Sequence, residues 1–222
     1  MYLAIILLGM FGEMFVRGSL VMSGDPAATS LAISSSPLLW RAGIAGDLLM
    51  HVLDVPVMVI LYVLLKPVNR HLALFATMIN LVQTAVLVAN KLNLLVPLYL
   101  HEDAGYLRAF SAEQLHVLSY LAIKAHGYGF GVGLIFFGVA CLVRGYLVYM
   151  SGYFPRVLGV LLAGAGLSYL VNSFALLLAP ALASAMFPAV LAPAFVGELC
   201  FCLWLIVKGV RPAPWALQAV PR

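Results

Sequence analysis

Glu13 and Arg17 lie four residues apart inside an apolar run, so one helix face can hold them as an ion pair. Asp47, His51 and Asp54 follow at i, i+4 and i+7, which is again a single helical face. Asn90, Lys91 and Asn93 place three polar groups within one turn, and Gln83, Lys124, His126, Asn172 and Glu198 complete the polar set inside apolar surroundings. Carboxylates and imidazoles of this kind can relay protons or bind ions. Arg17, Lys91 and Lys124 can receive an anionic group. Asp47, His51, His126 and Glu198 are also ligand types suited to zinc, which would activate a bound water for hydrolysis. His51 and His126 could instead ligate one haem from two helices. Nucleophilic serine catalysis has less support, because no Ser sits in a Gly-x-Ser-x-Gly elbow.

The elements that must carry these residues are membrane spans. Of 222 residues 64% are hydrophobic and only 9% charged, against about 25% charged in a soluble domain. So few charges cannot cover a globule of this size, and lipid must be part of the solvent. Stretches of about 20 largely apolar residues are long enough to span. They occur near 1–22, 38–65, 72–100, 115–143, 154–178 and 186–207. The fold class expected is therefore all-α: six transmembrane helices in one compact bundle over 1–209, with a disordered tail at 210–222. The first apolar run has no basic segment ahead of it, so it reads as a retained helix rather than a cleaved signal. Pro56 should kink the second span near Val52. Cys141, Cys200 and Cys202 lie in apolar runs and read as packing residues.

Basic residues alternate by loop. Lys66 and Arg70, Arg144 and Arg156, and the tail with Lys208, Arg211 and Arg222 mark one side, which the positive-inside rule makes cytoplasmic. Both termini then face the cytoplasm, and an even number of spans likewise puts them on one side. The formal charge of +4 is spread along the chain without a basic stripe, which argues against a nucleic-acid partner.

Depth sharpens the reading. At about 1.5 Å per residue, Glu13, His51, Gln83 and Glu198 fall near the bilayer centre. Asp47 and His126 lie about 6 Å outward, and Arg17, Asn90, Lys91, Lys124 and Asn172 about 8–9 Å outward. Asp54 alone falls slightly inward. Four acids and three bases left unpaired would cost roughly 20 kcal/mol, more than a typical folding free energy. They must pair or meet water. The expectation is a polar cavity open to the extracytoplasmic side that binds, or binds and transports, a small polar or ionic ligand. A membrane-embedded metal hydrolase is the alternative, and an accessory subunit whose ion pairs are purely structural is a further one. No cofactor is expected; zinc and haem remain the open exceptions. Gly127, Gly129, Gly131 and Gly133 contain overlapping Gly-x-x-x-Gly spacings, which suit close packing within the chain or a homodimer contact.

Several segments together resemble an uncharacterised family catalogued as domain of unknown function 4386. They are 11–20 with Glu13 and Arg17, 47–56 from Asp47 to Pro56, 80–93 from Asn80 to Asn93, 126–131 from His126 to Gly131, and 152–156 from Gly152 to Arg156. The likeness extends to about Gly209. It implies a bacterial inner-membrane protein and brings no reaction, substrate or cofactor with it.

Overall fold

The computed structural model describes residues 1–102 and 104–210; the expected disordered tail, from Arg211 onward, and Asp103 lie outside the described residues. Among the described residues the chain is helical and carries no strand. Six segments are long and apolar enough to cross a membrane: Tyr2–Leu20, Pro37–Leu65, Arg70–Tyr99, Ala112–Met150, Arg156–Leu178 and Ala189–Val207.

Two of these spans depart from regular α-helix partway along their length. The first runs as α1 (Tyr2–Met10), a π-helical turn (Phe11–Arg17) and α2 (Gly18–Leu20). In the π turn the Gly18 N–H reaches back five residues to the Glu13 carbonyl. The third span is α5 (Arg70–Asn90) and α6 (Leu92–Tyr99), separated at Lys91. There Lys91 N bonds the Val88 carbonyl at 3.1 Å and Leu94 N bonds the Lys91 carbonyl at 3.0 Å, the tighter i to i−3 pattern. Pro97 in α6 has no N–H to give, which weakens the same segment. The second span, α4 (Pro37–Leu65), stays one helix with Pro56 inside it.

Three sequence expectations are corrected. The segment 23–37 is not a bare loop: α3 (Pro26–Ser35) forms there, started by Pro26 and capped by Asp25, whose carboxylate accepts from Ala28 N at 2.9 Å. The fourth span, α7, runs Ala112–Met150 rather than stopping at Val143. At about 1.5 Å per residue it outreaches the roughly 30 Å hydrocarbon core. Arg144 is therefore a buried helix residue and not part of a basic loop. The sixth span starts at Ala189, with a short 3-10 turn leading into α10 (Ala192–Val207), because Met186 closes a separate helix, α9 (Pro180–Met186). Between them, α8 (Arg156–Leu178) matches the expected fifth span to within two residues.

The chain forms two units, each built from separate stretches. The network unit comprises Ala4–Val52 and Leu87–Phe130; the glycine-seam unit comprises Met1–Leu3, Leu53–Val86 and the described residues from Gly131 onward. In the network unit Val16, Leu20, Ile33, Trp40, Ile44, Leu94, Leu98 and Ile123 form the apolar core. Trp40 Nε1 donates to the Leu94 carbonyl at 2.8 Å, which satisfies the buried indole and a carbonyl of the interrupted span together. In the glycine-seam unit, α7 and α8 touch backbone to backbone. A Cβ on Gly145 would lie 2.7 Å from the Gly159 carbonyl, and one on Gly166 would lie 2.6 Å from the Gly138 carbonyl. Small residues let helices approach this closely in lipid.

Candidate functional site

The ion pairs among the described residues all belong to the network unit, and all converge on one carboxylate or its partner. Asp47, 1% exposed, sits on α4 and accepts from Arg17 Nη1 at 2.7 Å and from Lys91 Nζ at 2.8 Å. Arg17 Nη2 adds a longer contact to its other oxygen at 3.4 Å. Arg17 Nε donates at 2.7 Å to Glu13, the pair expected from i, i+4 spacing. Glu13 is the outer member, with its side chain 57% exposed. Lys91 Nζ also meets His126 Nε2 at 3.3 Å and lies 5.9 Å from the Phe130 ring centre. An ammonium has only donors, so His126 Nε2 must accept, and the ring proton sits on Nδ1.

Local backbone explains how these groups meet. Arg17 and Glu13 occupy the π turn, and Lys91 occupies the break between α5 and α6. Irregular backbone at membrane depth is tolerated where protein surrounds it or a wet cavity adjoins it, and π turns are frequent at functional sites. Gly12 makes room for the carboxylate: a Cβ there would overlap Asp47 Oδ1. Gly129 does the same for Asn90, whose amide donates to the His126 carbonyl at 2.8 Å and accepts from Asn93 at 3.0 Å. The formal charges of Glu13, Asp47, Arg17 and Lys91 sum to zero. His51, 2% exposed, contributes a buried Nε2 that has no partner.

The glycine-seam unit handles its acids differently. Asp54 Oδ2 accepts from Thr84 Oγ1 at 2.9 Å and from Asn80 Nδ2 at 3.1 Å. Gln83 Oε1 accepts from the same amide at 2.8 Å and lies 3.3 Å from Thr84 Oγ1. Glu198 accepts from the Tyr169 hydroxyl, with Tyr2 close by. Arg144 is buried, and its Nη2 has no partner. Asn172 is half-buried.

The structure thus brings together Glu13, Arg17, Asp47, Asn90, Lys91 and His126, with His51 unpartnered in the same unit. Asp54, Gln83, Asn172 and Glu198 belong to the other unit. Lys124 is in the network unit but exposed, 5.5 Å from the Tyr120 ring centre. Among the described residues, no three His, Cys, Asp or Glu side chains group closely enough to hold a metal. Gly129 and Gly131 already face Asn90 and Leu176 of this chain, whereas Gly127 faces open space. Sequence reading passed over Arg144, Asn80 and Thr84. A charge near the end of an apolar run reads as a loop residue, and one Asn or Thr in a span carries little signal. Where the third span ends and the fourth begins, a cleft of about 270 Å³ is lined by His101, Glu102 and His116 among others. His101 bonds Ser30 at 3.0 Å, and burial together with His116 pushes its pKa down.

The family model described as domain of unknown function (DUF4386) matches residues 1–209. The chain belongs to this family. Within the DUF4386 family likeness, the segments around Glu13, Asp47, Asn90 and His126 are the ones that build the ion-pair network. An uncharacterised protein of Archaeoglobus fulgidus is 29% identical over 168 residues, which cover 75% of this chain and 83% of that protein. The likeness is thus not confined to bacteria. No solved structure matches the chain.

Proposed function

We propose that the protein is a multi-pass inner-membrane protein, with both termini cytoplasmic, that binds a small anionic ligand at the Arg17–Asp47–Lys91 centre. The orientation rests on the basic turn at Lys66 and Arg70 and on the basic tail. The observation that carries the binding reading is the imbalance of hydrogen-bonding capacity. An ammonium offers three N–H groups and a guanidinium five. Asp47 and His126 engage two on Lys91; Glu13 and Asp47 engage three on Arg17, one of them long. Unfilled donors remain at a centre whose buried members are two cations and one carboxylate. His51 Nε2 adds an unfilled polar site.

Glu13 supplies the fourth charge from the exposed edge, so it is the counter-ion easiest to displace. An incoming carboxylate or phosphate would take its place on Arg17 and keep the centre neutral. Charge-assisted, bidentate bonds to Arg favour such acceptor-rich groups.

The test is thermal unfolding of the purified protein in detergent, titrated with acetate, phosphate or sulfate against chloride at constant ionic strength. One of these anions should raise stability by about 2.7 kcal/mol at a hundredfold excess over its Kd. The rise should vanish in Arg17→Gln and weaken in His51→Ala. Equal curves for every anion would contradict the reading. Flux into vesicles would then separate carriage from binding alone.

A further inference from the structure

The glycine-seam unit carries a second polar centre that stands on observations independent of the anion site. Asn80, Gln83 and Thr84 fall at i, i+3 and i+4 on α5, which aligns them on one face, and Asp54 of α4 meets them. Two details of this cluster are unresolved by its own hydrogen atoms. Thr84 Oγ1 lies 2.9 Å from Asp54 Oδ2 and 3.3 Å from Gln83 Oε1, but one hydroxyl proton serves only one of them. The other approach sets oxygen lone pairs against each other. Asn80 is 0% exposed, and its Oδ1 has no partner at all. A buried amide oxygen left unpaired is costly unless something else meets it.

Charge points the same way. Asp54 and Glu198 are the acids inside this unit's spans, and Arg144 is the buried base. None of the three forms an ion pair with a described residue, and the sum is one negative charge in excess. Net charge at membrane depth is unfavourable, so one positive charge should enter.

We infer that Asp54, Asn80, Gln83 and Thr84 form a binding site for a monovalent hard cation of the sodium class. Asn80 is the pivot. Its amide nitrogen now bridges Asp54 Oδ2 and Gln83 Oε1; turning the amide over would present Oδ1 to the same point. One carboxylate, two amide oxygens and a hydroxyl then surround it, an all-oxygen set of the type hard cations select. The single surplus negative charge matches a monovalent ion rather than a divalent one.

The experiment uses the full chain in detergent, with thermal unfolding followed while NaCl replaces choline chloride at constant chloride and ionic strength. Stability should climb with sodium and saturate, while potassium acts only at higher concentration. Asp54→Asn should remove the dependence, and Thr84→Val should raise the half-saturating sodium concentration on the order of tenfold. The second variant leaves the carboxylate in place, so it still decides the matter if Asp54→Asn does not fold. Sodium and choline giving superimposable curves would overturn the site. So would a wild-type response kept unchanged in Thr84→Val, or stabilisation by acid pH alone that sodium does not alter. Loss of this response with an intact anion response, or the reverse, would separate the two centres.

Discussion

The two units keep carboxylates inside apolar spans by different means. In the network unit, Asp47 is neutralised by two cations drawn from two other spans, and the backbone bends away from α-helix at both cations. In the glycine-seam unit, Asp54 and Glu198 rest on hydroxyl and amide donors. Full ion pairing fixes geometry strongly and makes each member indispensable. Neutral donors leave charge uncompensated and ready for a titrating or exchanging ion. In the seam unit, close backbone approach at Gly138, Gly145, Gly159 and Gly166 packs α7 against α8.

That contrast is open to direct attack by mutation. The largest effect should come from Asp47→Ala, which leaves Lys91 a buried cation without a carboxylate and Arg17 with only the exposed Glu13, and should cost about 3–5 kcal/mol. Asp54→Ala, removing an acceptor from neutral donors, should cost only about 1–3 kcal/mol in the same unfolding assay in detergent. Equal losses would erase the distinction. Gly12→Ala should come next, at about 1–3 kcal/mol, because its methyl group meets the Asp47 carboxylate. Restoring stability to Gly12→Ala by shortening a distant side chain, rather than one in the network, would argue against that cause. Glu13→Gln should cost about 1 kcal/mol or less, since the pair it breaks is largely exposed.

The smallest effect concerns the loop cleft. His101 has its folded pKa lowered by burial and by His116. The unfolded chain therefore binds the extra proton first, so this contribution is complete above about pH 6.5 and is lost as pH falls through the folded value. Wild type should lose slightly more stability than His101→Gln between pH 7.5 and 5.5, as read by thermal scans at matched salt.

Much of this was legible in the residues. Apolar runs of about 20 residues located the six spans, because length and hydrophobicity alone decide what lipid accepts. The Glu13–Arg17 pair followed from helical spacing. Asp47 and Lys91 stood out as charges in apolar surroundings, but that they bond each other did not, because pairing depends on which helices are neighbours. Depth is one coordinate of three, and it set Glu198 and His51 at one level, whereas the fold assigns them to different units. Lys124 is two residues from His126, a spacing that sends the pair to different helix faces. The π turn at 11–17 has no residue signature of its own, and the break at Lys91 lies six residues ahead of the nearest proline. Both reflect tertiary demand on the backbone rather than local propensity.

The proposed binding site depends above all on Glu13 giving way to an incoming anion on Arg17. Difference infrared spectroscopy on the purified protein, recorded as acetate or phosphate replaces chloride, reads carboxylate environments directly. A carboxylate band should shift, saturate with the thermal response and disappear in Glu13→Gln. An anion that stabilises the protein while leaving that band untouched would contradict it.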